Sequence, residues 1–321
     1  MGSAETTFTF SSQSLAAVDA DVLIVPVFQD DFASVTDQPK GKTRKKSTKK
    51  TAEPSVLQFS DGLQTLDAAC QGMMTSFITE DDFKAAKSAM LTIRKRPADT
   101  LSCQRLILLG LGERAKLTMT RLEAACVKAF KSVAKKKAVQ TITVHLPEFD
   151  ATELDTEQLI KTLVDAAYQS TYVSLESKDT APELKTVTFL SEKRATAAMK
   201  HALKEGQALA GARSMAKDLV NKPANIKRTQ TLADVAKTLG KVSGMTAKVQ
   251  QDAKWIEKNM PCFFEVARGS VSADPPRFIT LQYKPAKAAK KSKKRKKLAL
   301  VGKSVIFDTG GYQVKPGNYM N

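Results

Sequence analysis

No apolar run in the sequence is long enough to cross a bilayer. The longest, DVLIVPVF at residues 21–28, falls far short of the roughly 20 residues a membrane helix needs. The N-terminal stretch MGSAETTFTF lacks the basic and apolar regions of a secretory signal. Histidine is scarce, with only His145 and His201, and neither has a second ligand at metal-binding spacing. The four cysteines, Cys70, Cys103, Cys126 and Cys262, lie far apart and form no CxxC pair. Three of them sit in apolar segments, as reduced core cysteines of a cytosolic protein do. These shortages argue against a His/Cys zinc site. Any metal would be held mainly by carboxylates and other hard donors.

Positive charge, by contrast, is abundant, with a formal net charge of +18. KGKTRKKSTKK (40–50) holds seven basic residues and no acid, and KPAKAAKKSKKRKK (284–297) holds nine and no acid. Together they supply 16 of the 18 charges, so the remainder of the chain is close to neutral. The basicity belongs to two low-complexity segments and not to a folded basic face. Neither run contains an aromatic residue that could stack on a base. The second run lies between the strand-like RFITLQY and LALVG and reads as an exposed loop. Two readings stay open: a solvated insertion that aids solubility, or a salt-sensitive contact with an acidic partner such as nucleic acid, with KKSKKRKK also fitting a localisation signal.

At 321 residues the chain can form two domains, each with its own core. ADVLIVPVF, AMLTIR and RLILLGLG read as strands, the last ending in a glycine turn at Gly110 and Gly112. Residues 118–135 place Leu122, Ala125, Cys126, Ala129 and Phe130 on one helical face. Thr118 or Thr120 is available as the cap, with Glu123 three residues beyond Thr120. TITVHLP follows as a strand and LDTEQLIKTLVDAAYQSTYVS as a helix, making an open α/β unit. A long helix over 192–220 ends near Asn221, where NKPAN has the composition of a stop, Pro223 included. A second α/β pattern follows: TQTLADVAKTLGKV (helix), MTAKVQ (strand), DAKWIEKNM (helix), RFITLQY (strand), and LALVGK with VIFD as the last apolar strands. The expected domains are 1–185 and 186–321, bridged by the long helix.

The stretch GKSVIFDTGGYQVKP, residues 302–316, concentrates the chemistry. In open α/β sheets ligands bind outside the carboxyl ends of strands. VIFD followed by Thr-Gly-Gly puts Asp308 at such an end, with Gly310 and Gly311 letting the backbone turn sharply. The carboxylate can cap the following segment or ligate a metal. Lys303 can form a plain ion pair with it, or serve as a neutral amine ligating the same ion. Lys315, just past the turn, can reach back toward a carbonyl oxygen.

This stretch resembles the signature of the leucyl aminopeptidase (cytosol aminopeptidase, M17-type) family, which reads close to GKGxxFDxGGxxxKP. Upstream, ARSMAKDLVNKPANIKRTQTLA and MPCFFEVARGSVSADPPRFITLQY are similar to the start of the family's catalytic domain, including Gly269, Ser270, Pro276, Arg277 and Tyr283. Residues 208–321 carry most of the resemblance, and the N-terminal half matches in layout. The resemblance implies a small N-terminal α/β (macro-like) domain followed by the first part of an α/β/α zinc-peptidase domain. It implies two divalent ions, Zn2+ or Mn2+, with Lys303 as a metal ligand, Asp308 as the carboxylate shared by the metals and Lys315 as the catalytic lysine. It further implies leucine-type cleavage of peptides with free N-termini by a metal-activated water, a homohexamer and a cytoplasmic location.

Three features depart from the family pattern. Ser304 stands where glycine is usual, Ile306 where a small polar residue is common, and the loop 284–297 is long. The family's remaining ligands, two aspartates and a glutamate, and its active-site arginine belong beyond Asn321. The expectation is therefore an N-terminal portion of an aminopeptidase, inactive as it stands and with an exposed apolar sheet edge. The alternatives are a non-catalytic relative acting as a scaffold and a nucleic-acid binder working through the lysine runs. If the runs bind DNA, retention falls steeply with salt and disappears when residues 284–297 are shortened. Binding unchanged by that deletion would dismiss the idea.

Overall fold

The computed structural model describes residues 6–32, 59–134, 136–146, 155–174, 177, 183–191, 193–242, 244–269, 274–284 and 297–317. The lysine-rich run 40–50 and residues 285–296 of the second run lie outside them. Among the described residues no helix is long and apolar enough to cross a membrane. The chain divides into two compact units, Met1–Asp218 and Leu219–Asn321.

The first unit opens with strand β1 (Thr7–Ser11) and the fully buried β2 (Val22–Val27). Helices α1 (Asp61–Ala69) and α2 (Met73–Glu80) follow, then β3 (Met90–Arg94) and β4 (Arg105–Gly110). Helix α3 (Met119–Ala134), β5 (Thr141–His145), α4 (Thr156–Thr171), β6 (Thr186–Leu190) and α5 (Ala197–Asn221) complete the series. The six strands form one sheet in the order β1-β6-β5-β2-β4-β3. All neighbours are parallel except the edge strand β3, which runs antiparallel to β4. Segment 186–190, placed in sequence terms at the head of the second domain, pairs with both β1 and β5 and so lies in this sheet.

A sheet covered on both faces needs near-continuous apolar strands. In β2, Val22 and Ile24 join one core with α3, α4 and α5, while Leu23, Val25 and Val27 join the other with α1 and α2. β4 divides likewise, with Ile107 and Leu109 on the first side and Leu106 and Leu108 on the second. The expected face of α3 is buried as read: Leu122, Ala125, Cys126, Ala129 and Phe130 are all at most 1% exposed. Its cap is Thr118, whose hydroxyl accepts from the Arg121 amide at 3.3 Å. Gly110 belongs to β4, where a Cβ would lie 2.4 Å from the Ala86 carbonyl oxygen. The glycine there permits close packing of backbone on backbone, and only Gly112, at φ +82°, supplies the turn geometry.

Two carboxylate networks, one half-buried and one buried, brace this unit. Asp21 accepts from the amides of Gln140 and Thr141 at 2.8 Å each, tying the start of β2 to that of β5. Burial raises its pKa, but these hydrogen bonds outweigh it and leave the carboxyl below its ordinary value. Asp99, whose side chain is fully buried, pairs with the Arg96 guanidinium at 3.0 Å. That guanidinium holds its carboxyl below the usual range. Burial also pushes the thiols of Cys70 and Cys126 up to about 12 and that of Cys103 up to about 11, so all three are inert core groups. Cys262 is exposed.

In the second unit, α6 (Thr229–Val242) is followed by β7 (Met245–Gln250), α7 (Ala253–Asn259), α8 (Pro261–Ala267) and β8 (Phe278–Tyr283). β7 and β8 form an antiparallel pair. The strands expected over LALVGK and VIFD are absent: within 297–317 the only ladder contact is a single bridge, Gly310 to Val314. A strand requires a neighbour to answer its backbone groups, and none is described here. Leu300, Val301 and Phe307 are accordingly 90%, 95% and 63% exposed.

Two measurements test the first unit. Phe130→Ala removes a ring from the sealed core and is expected to cost about 3–5 kcal/mol in chemical denaturation. Because Asp99 titrates lower when folded, its stabilisation is complete above the unfolded aspartate value of 3.8 and is lost as pH falls through the folded value. Asp99→Asn should therefore lower the midpoint at pH 6 and converge on the wild type near pH 2. A gap that persisted at pH 2 would refute the electrostatic origin.

Candidate functional site

Residues 308–315 form a small turn closed by its own backbone. The Gly310 amide donates to Asp308 Oδ1 at 2.9 Å, the Lys315 amide to the Thr309 carbonyl at 2.9 Å, and the Gly311 amide to the Gln313 carbonyl at 3.3 Å. Gly310 has φ +107°, and a Cβ there would meet the Gln313 carbonyl oxygen at 2.2 Å. Only glycine fits, for both reasons at once.

Across this turn Lys315 Nζ donates to Asp308 Oδ2 at 2.8 Å, the two side chains being 38% and 45% exposed. Both carboxylate oxygens of Asp308 are thus engaged, one by an ammonium and one by a backbone amide. The lysine, and next the Gly310 amide, hold the Asp308 carboxyl below its ordinary value. Lys303 assists as a more distant charge but makes no described hydrogen bond to Asp308. Of the three residues singled out in the sequence, the structure brings Asp308 and Lys315 into contact and leaves Lys303 apart. The direct Asp308–Lys315 pair is not evident from spacing alone, because it depends on the tight fold of the turn between them.

Ser304 has φ +52°, in the left-handed region where a side chain is strained. The serine therefore stands at a backbone position suited to the glycine of the family pattern. Arg277 belongs to a separate clasp. Its Nη1 donates to the Thr229 hydroxyl and, at 3.2 Å, to the Pro275 carbonyl, while Asp274 Oδ1 accepts from the Thr229 amide at 3.0 Å. A carboxylate on the first turn of α6 satisfies amides that lack helical partners, so this clasp fixes the approach to β8.

In the first unit, a cavity of about 300 Å³ lies at the carboxyl ends of β1, β5 and β6 and is lined by Ser12, Ser14, Thr65 and His145, among others. Among the described residues no group of three or more His, Cys, Asp or Glu side chains is placed to hold a metal ion.

The catalytic-domain model of the cytosol aminopeptidase family matches residues 214–321, and the N-terminal-domain model of the same family matches residues 43–180. A probable cytosol aminopeptidase of Aromatoleum aromaticum is 31% identical over 272 residues, covering 82% of this chain and 52% of the relative. A probable cytosol aminopeptidase of Picosynechococcus sp. is 31% identical over 264 residues, covering 82% and 50%. Among solved structures, a tomato leucine aminopeptidase mutant aligns with a TM-score of 0.69 at 18% identity, covering 89% of this chain and 52% of that one. The bottromycin maturation enzyme BotP, in complex with Mn, aligns at 0.57 and 21% identity, covering 83% and 46%. With both domain models in their proper order and a fold of the same kind, the chain belongs to the cytosol aminopeptidase family. It spans about half the length of the curated relatives it matches.

Gly310→Ala should abolish the closed turn, seen as loss of amide-exchange protection at Gly311 and Lys315. Ser304→Gly should relieve strain and stabilise the second unit by up to about 1 kcal/mol in thermal or urea melts. No gain would show that the position is too loosely held to be strained.

Proposed function

We propose that this chain contributes Lys303, Asp308 and Lys315 to an aminopeptidase that removes N-terminal residues, leucine among them, from peptides with a free amino group. The observation that carries the reading is the contact of Asp308 with Lys315 on a glycine turn inside the segment matched by the family's catalytic-domain model. The tomato relative, a leucine aminopeptidase, supports the substrate class. The manganese complex of BotP supports a divalent cofactor, here Zn2+ or Mn2+.

The described residues do not by themselves fit two such ions. One amine and one carboxylate, the latter with both oxygens occupied, fall short of the several oxygen ligands hard cations require. What these residues do supply follows from their chemistry. Lys315 is a partly exposed ammonium paired with Asp308, and in this reading it donates to the oxyanion formed at a peptide carbonyl. Asp308 is oriented by the Gly310 amide on one oxygen and by the Lys315 ammonium on the other.

The test is hydrolysis of leucine amide by protein expressed from the whole reading frame. Release should require a divalent metal and stop with a chelator, and Lys315→Ala should lower kcat by about 10²–10³-fold, the usual loss for an oxyanion donor. Release that ignored both metal and Lys315 would refute the assignment. Assembly as a homohexamer belongs to the same reading and is checked by light scattering.

A further inference from the structure

We infer that Arg94 and Arg105, in the first unit, form a binding site for a phosphoryl oxyanion, either free phosphate or the phosphate of a small phosphomonoester, at the amino end of β4. The basis is the register of the β3–β4 pair, which sets Arg94 directly opposite Arg105. The Lys95 amide donates to the Gln104 carbonyl at 3.0 Å and the Gly110 amide to the Ala89 carbonyl at 2.8 Å. With bonds at those two pairs, the alternation of the ladder makes Arg94 and Arg105 a non-hydrogen-bonded pair, the kind whose side chains come closest. Like charges directly opposite one another destabilise a strand pair.

Neither charge is answered within the protein. Arg96, Arg114 and Arg213 each pair with a carboxylate, that of Asp99, Asp31 and Asp165 in turn. Among the described residues Arg94 and Arg105 have no ion pair and no side-chain hydrogen bond. Arg105 is half-buried, and its Nη1 is sealed from solvent with no acceptor, whereas buried donors are ordinarily bonded. Asp21 feels the Arg105 charge, but no ion pair joins them, and its Oδ2 is given to the amides of Gln140 and Thr141. A phosphate meets each of these conditions. Its several oxygens accept from two guanidinium forks at once. Its double negative charge cancels the repulsion, and it brings the acceptor that Arg105 lacks. Arg94 is exposed, so the pair is reachable from solvent, and the exposed Thr92 adds a hydroxyl on the same face of β3.

The test is equilibrium dialysis of the 321-residue chain against radiolabelled inorganic phosphate, at constant ionic strength in chloride. One saturable site is expected. It should weaken several-fold in Arg94→Gln and in Arg105→Gln, and return only in part in Arg105→Lys, which keeps the charge but not the fork. Because Arg94 is exposed, its variant reads the site even if Arg105→Gln fails to fold. Phenylglyoxal labelling with peptide mass mapping gives a local readout: phosphate should slow modification of Arg94 and Arg105 several-fold and leave the exposed Arg194 unaffected. In chloride alone Arg94→Gln should melt higher than the wild type, since a like-charge pair has been relieved, and phosphate should narrow that gap. Phosphate binding equal in all variants would assign the ion to the lysine-rich runs and overturn the inference. Labelling of Arg94 and Arg105 indifferent to phosphate would overturn it too. Competition by AMP separates the sources: displacement stronger than by unlabelled phosphate identifies a phosphomonoester, and weaker displacement identifies the free ion.

Discussion

Hydrogen bonding between adjacent backbones governs both units, with opposite outcomes. In the first, β2 is answered by β4 on one side and β5 on the other, and the sheet extends outward from there to six strands. β2 and β4 bring apolar side chains to both faces, and the helices that cover those faces have somewhere to bury their own. Among the described residues of the second, β7 and β8 answer only each other. Residues 298–307, half of them branched apolar side chains, gain no ladder and bury almost nothing. Composition makes a segment capable of being a strand, and a partner makes it one.

The turn at 308–315 succeeds where the preceding segment does not because its stability is local. Its hydrogen bonds join residues at most seven positions apart, and it needs no sheet beside it. The chemically significant residues are therefore held by a device independent of the strand that leads into them. Their mutual geometry is defined even though their surroundings are open, which is why Asp308 and Lys315 make contact while Lys303, on the unstructured side, does not.

Much of this was legible in advance. The buried run at 22–27, the amphipathic face of α3 and the bridging helix ending at Asn221 are periodic signals strong enough to survive tertiary context. The α1–α2 pair was not foreseen, since its two short helices are interrupted by Gly72 in the left-handed conformation and neither is long enough to show a clear period. The strands at 298–308 were read from apolarity alone, a local property, whereas a strand depends on a distant one. At the site, the residue types and the glycine turn were visible. Which lysine pairs with Asp308 was not, because Lys303 is the nearer of the two in sequence and only the fold of the turn brings Lys315 into contact instead.

The position of β1 bears on how the protein is made. Its partner β6 lies so far along the chain that Thr9 and Thr188, whose hydroxyls meet at 3.0 Å, are 179 residues apart in sequence. During synthesis β1 thus waits for the last strand of its sheet. At a synthesis rate of about 5–20 residues per second, that wait is roughly 10–35 s. Until then the ring that meets both Phe8 and Phe10, that of Phe189, has not been made. Through that interval β1 is without the strand beside which it lies in the finished sheet.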